Sequence, residues 1–134
     1  MESIPSQETP TLVVDDDEGL LLSIKATLIS AGLPEPALLS DSRRALDLLR
    51  TRRFHLVLLD LMMPHVGGMD VLTQVNEEFP DIDCVVVSAT DDVSTAVKAM
   101  SSGAADYLVK PLNGEKLVAL VQNYIEKHRF REEL

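Results

Sequence analysis

Several short apolar runs in this 134-residue chain end in side chains that could do chemistry together. These side chains are Asp15, Asp16, Asp17, Asp60, Ser88 and Lys110. If the runs end at one place, the carboxylates repel one another and favour a bound cation. Mg²⁺ suits them, because it prefers carboxylate and phosphate oxygens and keeps several waters. With Lys110 opposite the metal, the pattern predicts a pocket that neutralises a phosphoryl group from two sides.

The nucleophile of such a pocket is expected to be a carboxylate. The chain has no glycine-rich loop ending in Gly-Lys-Ser or Gly-Lys-Thr, so a nucleotide is not the expected ligand. A carboxylate that attacks phosphorus forms an acyl phosphate.

Five apolar runs predict the strands that position these groups. The predicted strands are residues 12–14, 37–39, 56–59, 84–87 and 107–109. Helical patterns alternate with them; the first is expected to end near Gly32, the third at Pro80 and the fourth near Gly103. Polar residues from Glu126 extend the fifth helix past the core. The (βα)₅ order predicts one α/β domain with a parallel sheet, helices on both faces and a ligand at the carboxyl ends of the strands.

Composition and charge restrict the classes of function. With 46% hydrophobic and 25% charged residues, the chain fits a single globular domain. Its net charge of −10 argues against direct contact with nucleic acid or an anionic membrane. One cysteine excludes an internal disulfide framework, and the first ten residues lack the basic and apolar segments of a signal peptide. We expect a cytoplasmic protein.

Four motifs follow one another at the predicted strand ends. They are Val13-Val14-Asp15-Asp16, Val57-Leu58-Leu59-Asp60-Leu61-Met62-Met63-Pro64 with Gly68, Val87-Ser88-Ala89, and Gly103-Ala104-Ala105-Asp106-Tyr107-Leu108-Val109-Lys110-Pro111. In this order they resemble the receiver domain of bacterial two-component response regulators, possibly of the NtrC type. The resemblance implies a doubly wound, flavodoxin-like (βα)₅ fold with a five-stranded parallel sheet in the order 2-1-3-4-5. It assigns residues 11–126 to the receiver domain. Residues 1–10, rich in Ser, Pro and Glu, are expected to be a flexible lead, and residues 127–134 a helical extension or the start of a linker to an effector domain.

The resemblance also implies a role for each matched acidic residue. Asp60 would be the phosphoacceptor, taking its phosphoryl group from a histidine of a sensor kinase or phosphotransfer protein. Asp15 and Asp16 would hold Mg²⁺, or Mn²⁺ in its place, together with Asp60 and the backbone carbonyl of Met62.

A switch is implied by the residues at the later strand ends. Ser88 would hydrogen-bond a phosphoryl oxygen, and Lys110 would pair with the phosphoryl group. The peptide bond from Lys110 to Pro111 would be cis. Tyr107 would turn inward when Ser88 moves. Because a phosphate adds nearly two negative charges, this movement would change the surface of the fourth helix, fifth strand and fifth helix. We expect that surface to control an output such as transcription. A homodimer through the fourth and fifth helices is a further hypothesis. The domain is expected to be a signalling domain rather than an enzyme.

A phosphatase of the haloacid-dehalogenase type is the main alternative. Asp15 would be its nucleophile and Asp17 its acid, and Ser88 and Lys110 would imitate its later motifs. The acidic metal-binding pair expected after that lysine is missing from the sequence. A receiver-like scaffold usually lacks the phosphoacceptor or the acidic pair, and both are present. A flavin carrier is disfavoured because the chain has no Trp and no Ser/Thr-rich phosphate loop.

Other residues favour structural interpretations. Asp17 is expected to cap the first helix, and Cys84 to be a small core residue. Five arginines between residues 43 and 53 are interpreted as the solvated face of the second helix. Three scattered histidines are predicted neither to bind a metal nor to relay a phosphoryl group: His55, His65 and His128.

Overall fold

Strands and helices alternate along the described part of the chain, residues 1–63 and 67–133 of a computed structural model. The strands are β1 (Glu2–Ser3), β2 (Thr11–Val14), β3 (Ala37–Leu39), β4 (Leu56–Asp60), β5 (Asp83–Ser88) and β6 (Asp106–Val109). The helices are α1 (Glu18–Ser30), α2 (Ala45–Thr51), α3 (Gly68–Glu78), α4 (Val93–Ser101) and α5 (Gly114–Glu133), with a 3₁₀ turn at Ser42–Arg44 before α2.

Five of the strands form the predicted parallel sheet. Their order is β3-β2-β4-β5-β6, which confirms the order expected for a doubly wound fold. Consecutive residues of each central strand face opposite layers of helices. Leu12 and Val14 of β2 pack in the cluster with Leu72 of α3, whereas Val13 packs with Leu117 of α5. Burial on both faces explains the uninterrupted apolar runs at residues 12–14, 56–59 and 84–87 of these strands.

A sixth strand distinguishes the structure from the five-stranded prediction. β1 pairs antiparallel with β3, Glu2 opposite Leu39 and Ser3 opposite Leu38, within the segment that was expected to be a flexible lead. Ile4 packs against the apolar core and Thr9 is buried. A two-residue strand of Glu and Ser has no apolar periodicity, so the sequence pattern does not predict it.

The helix ends lie close to the predicted positions. α1 is followed by Gly32 (φ 81°) and α4 by Gly103 (φ 108°), conformations that glycine adopts without strain. α3 ends at Glu78, two residues before Pro80. In the described part of the chain, no helix combines the length and apolar character needed to cross a bilayer.

The last helix is tied to the sheet beyond the point where its sequence becomes polar. His128 is only 4% exposed, and its Nε2 lies 2.8 Å from Asp83 Oδ2 at the start of β5. Its ring stacks on that of His55, with the centroids 4.8 Å apart. Two of the histidines interpreted as scattered are therefore neighbours in a structural contact, while His65 lies outside the described residues.

Cys84 offers a test of how closed this core is. Its side chain is 3% exposed, as expected for a core residue, and burial beside Asp83 raises the pKa of its thiol to about 12. Because only the thiolate form of a cysteine attacks a disulfide, we expect a chromogenic disulfide reagent to leave the native protein unlabelled at mildly alkaline pH. The same reagent should label one thiol per chain in urea. Rapid labelling of the native protein would contradict this burial.

Candidate metal and phosphoryl site

The sheet register brings the acidic residues together. β2 and β4 are neighbours, with Val14 opposite Leu59, so Asp15 and Asp60 leave the two strands side by side. Parallel strands end at the same edge of a sheet, and this edge is the expected ligand position in a doubly wound fold. The predicted site residues at the ends of β2 and β4 therefore meet.

Three carboxylates form the acidic cluster. Oxygens of Asp15, Asp16 and Asp60 all lie within 4.8 Å of one another. Asp15 is 2% exposed and Asp60 4% exposed, whereas Asp16 faces solvent. Asp17 takes the structural role expected of it, since its Oδ1 accepts the Leu20 N–H (3.1 Å) and caps α1.

Lys110 places an ammonium group between the two buried carboxylates. Its Nζ lies 2.8 Å from Asp15 Oδ2 and 3.4 Å from Asp60 Oδ2. The peptide bond from Lys110 to Pro111 is cis, as the family resemblance implied. The Lys110 N–H donates to the Ser88 carbonyl (2.8 Å), which joins the end of β6 to the end of β5.

The electrostatics of the pocket are unbalanced. Burial raises the pKa of Asp60, the Asp15 charge adds to this effect, and the Met62 N–H and Lys110 oppose it. Burial lowers the pKa of Lys110, but the bond to Asp15 and the two carboxylate charges outweigh it and raise the net value. One ammonium thus faces three carboxylates. The donor set, oxygen alone with excess negative charge, fits a hard divalent cation such as Mg²⁺.

The turn after β4 folds back over the Asp60 carboxylate. The Met62 N–H donates to Asp60 Oδ1 (3.1 Å), which keeps the Met62 peptide close to the cluster. The next part of the motif, residues 64–66, lies outside the described residues. The Gly68 N–H donates to the Leu61 carbonyl (3.2 Å), and α3 begins directly against this turn.

The two predicted switch residues share a neighbour, Thr90, in the loop after β5. Ser88 is fully buried, and its Oγ accepts the Thr90 N–H (3.3 Å). The Tyr107 hydroxyl donates to the Thr90 carbonyl (2.9 Å). Thr90 therefore links the hydroxyl at the end of β5 to the aromatic ring on β6. Both bonds use the backbone of Thr90, so the type of its side chain does not predict them.

Two backbone contacts of Asp15 were also missed from the sequence. Its Oδ1 accepts the Asp17 N–H (2.9 Å), and its own N–H donates to the Leu39 carbonyl of β3 (3.1 Å). These contacts orient the carboxylate that pairs with Lys110. They depend on the path of the backbone, which residue types do not reveal.

The arrangement as a whole can bind a divalent cation and an anion at one edge of a doubly wound sheet. The family model for the response regulator receiver domain matches residues 11–122, and the chain belongs to this family of phosphoacceptor domains in two-component signalling.

Individual relatives agree with this assignment. The chain is 37% identical over 116 residues to the response regulator MprA of Mycolicibacterium vanbaalenii, covering 87% of this chain and 50% of that protein. It is 34% identical over 126 residues to the transcriptional regulatory protein ZraR of Klebsiella oxytoca, covering 94% of this chain and 28% of that protein. The chain therefore spans half or less of the length of these relatives.

Solved structures give the same fold. The solution structure of the beryllofluoride-activated NtrC4 receiver domain dimer superposes with a TM-score of 0.80 at 31% identity. The match covers 87% of this chain and 96% of that one.

Gly68 offers a test of the turn that carries Asp60 and Met62. A Cβ at this position would overlap the Asp60 carbonyl oxygen and Leu61 Cα, both parts of the backbone. We expect Gly68→Ala to lower the free energy of unfolding by about 1–3 kcal/mol, measured by urea denaturation.

The adjacent Gly67 provides the matched control. It has φ −65° and ψ 145°, and an added Cβ would meet only Asp70 Oδ2 at 3.9 Å. Gly67→Ala should leave stability within about 0.5 kcal/mol of the wild type or raise it slightly. Equal losses in the two variants would show that the contact of Gly68 with β4 is not the cause.

Proposed function

We propose that Asp60 accepts a phosphoryl group from a phosphohistidine of a sensor kinase or phosphotransfer protein, in a reaction that depends on Mg²⁺. One observation carries the proposal: the buried Asp60 carboxylate lies within 4.8 Å of oxygens of Asp15 and Asp16 and 3.4 Å from Lys110 Nζ. Membership of the receiver family supports it.

Asp15, Asp16 and Asp60 would hold the metal together with the backbone carbonyl of Met62. Mg²⁺ is the expected ion, and Mn²⁺ shares its preference for oxygen ligands. When bound, the ion supplies positive charge that offsets the carboxylates and the oxygens of the incoming phosphoryl group.

The transfer itself requires little covalent chemistry from the protein. A carboxylate oxygen of Asp60 forms a bond to phosphorus while the phosphorus–nitrogen bond of the donor breaks. The electron pair stays on the imidazole nitrogen, which takes up a proton. Lys110 moves from its carboxylate partners to the phosphoryl oxygens. Attack by water later releases inorganic phosphate and restores Asp60, so the domain catalyses only its own phosphorylation and dephosphorylation.

The new charge would be read through Ser88 and Tyr107. A phosphoryl group at Asp60 offers acceptor oxygens to the buried Ser88 hydroxyl. If Ser88 turns toward them, its bond to the Thr90 N–H is lost, and Thr90 also holds the Tyr107 hydroxyl. The loop between β5 and α4 thus connects the phosphate to the surface of α4 and β6.

That surface presents several large apolar side chains to solvent. Its exposed members are Val93, Val97 and Met100 of α4 and Val109 of β6. We propose that it carries the output and forms a homodimer through α4 and α5, as the NtrC4 receiver is described as a dimer. The name of the longer relative ZraR, a transcriptional regulatory protein, supports control of transcription, and its greater length supports a further effector domain. A cytoplasmic location fits membership of the receiver family.

Replacing the acceptor tests the chemical proposal. With Mg²⁺ and acetyl phosphate or phosphoramidate, the wild-type protein should gain the mass of one phosphoryl group. Asp60→Asn should gain none, because an amide does not form the acyl phosphate. Asp17→Asn is the matched control, since asparagine also caps a helix and Asp17 does not belong to the acidic cluster. Intact mass spectrometry measures all three proteins.

An assay of phosphate-ester hydrolysis on the same variants, together with Asp15→Asn, separates the receiver from the phosphatase alternative. Hydrolysis of ordinary phosphate esters that survives Asp60→Asn and is lost in Asp15→Asn would identify Asp15 as the nucleophile. Phosphorylation of Asp60→Asn to the wild-type level would likewise remove Asp60 from its proposed role.

A charge on α4 tests the dimer. With Mg²⁺ and beryllofluoride, the wild-type mass in light scattering should approach that of two chains. Val97→Asp should raise the dissociation constant of the dimer at least about tenfold, because the new carboxylate would be desolvated in an apolar contact. Leu22→Asp on α1 is a matched control, since Leu22 is 51% exposed and Val97 58%. Equal effects of the two changes, or no change in wild-type mass, would contradict a dimer through α4.

A further inference from the structure

The N-terminal strap, defined as residues 1–9, runs beside the outer edge of β3. Near its end, Thr9 Oγ1 donates to the Glu35 carbonyl, before β3 begins. At its start, β1 lies opposite the last residues of β3. Because the pairing is antiparallel, the strap begins at the carboxyl edge of the sheet, where the metal site lies, and leads back to the amino edge.

Arginines near α2 hold the strap in place. Arg52 Nη2 donates to the carbonyls of Pro5 (2.9 Å) and Gln7 (3.2 Å), and Arg44 pairs with Glu2 (3.4 Å). The first ten residues contain two glutamates and no lysine or arginine, so the acidic strap lies against the basic side of the domain. Part of the arginine cluster interpreted as a solvated helix face therefore has a specific partner.

Backbone hydrogen bonds connect the strap to Asp15. The Ser40 N–H donates to the Met1 carbonyl (3.0 Å), and Ser3 lies opposite Leu38. Leu39 lies between these two positions, and alternate residues of a strand direct their N–H and C=O groups to opposite neighbours. Its carbonyl accordingly faces β2 and accepts the Asp15 N–H (3.1 Å).

We propose that the strap is a positioning element for the metal site, with Arg52 as the positioning residue that holds it. By fixing β3 on both sides of Leu39, the strap holds the carbonyl that orients Asp15, whose carboxylate is a proposed metal ligand. The inference rests on the proposed function, because that function assigns the metal to Asp15. Partners that orient metal ligands typically change metal affinity when they are lost.

Without the strap, β3 would be an edge strand of three residues paired on one side alone. Such an edge has backbone groups without a ladder partner and opens at a lower free energy than the central strands. The predicted consequence is weaker Mg²⁺ binding at an otherwise complete site, while phosphoryl transfer at saturating Mg²⁺ stays at the wild-type rate.

Two variants of the full chain test this role. Arg52→Ala removes both hydrogen bonds to the strap, and Ser3→Pro removes a backbone N–H opposite Leu38. The control is Arg50→Ala on α2, whose guanidinium pairs with Glu78 of α3 (2.7 Å). Calorimetric titration with MgCl₂ gives the dissociation constant at a temperature where circular dichroism shows each protein to be folded.

We expect the dissociation constant for Mg²⁺ to rise at least about threefold in both strap variants, less than the roughly 10- to 100-fold loss typical of direct partners of a ligand. Arg50→Ala should match the wild type. Unchanged affinity in the folded strap variants, or equal weakening in Arg50→Ala, would overturn the inference. A wild-type protein that binds no Mg²⁺ would instead overturn the proposed function, and this result is distinct from the other two.

Discussion

The structure depends on a charge imbalance that its own side chains do not resolve. Asp15 and Asp60 are both nearly buried, and Lys110 reaches both of them with a single ammonium group. Removing charges from water is costly unless they are paired, so three carboxylates around one ammonium favour the arrival of another cation. In the proposed function a metal ion restores the balance, and the phosphoryl group that follows brings new negative charge to the same place. The site is therefore prepared for two ligands of opposite charge.

The fold tolerates this charge imbalance because different residues stabilise the sheet and form the site. The residues directly before Asp15, Asp60 and Ser88 are apolar and buried between two layers of helices. They fix the ends of the strands, and polar groups placed one residue further on meet at the rim without joining the core. Loops then complete the site with backbone groups, as Met62 does for Asp60 and Thr90 for Ser88 and Tyr107.

Most of this arrangement could be predicted from the sequence, because apolar runs and residue types carry strong signals. The five parallel strands, their order and the meeting of Asp15, Asp60 and Lys110 follow from those signals and from the family resemblance. The rest depends on contacts that residue types do not encode. β1 has only two polar residues, Thr90 acts through its backbone, and His55 meets His128 across more than half of the chain.

The burial of His128 has a practical consequence for the extent of the domain. The polar pattern from Glu126 onward suggests a segment that leaves the core, yet His128 and Lys127 both bind the Asp83 carboxylate at the base of β5. A chain cut after Glu126 would remove two cationic or polar partners from that carboxylate and uncover one face of the His55 ring. A shortened form of this domain should therefore retain α5 at least through His128, although the hydropathy of α5 from Glu126 onward predicts no contact with the core.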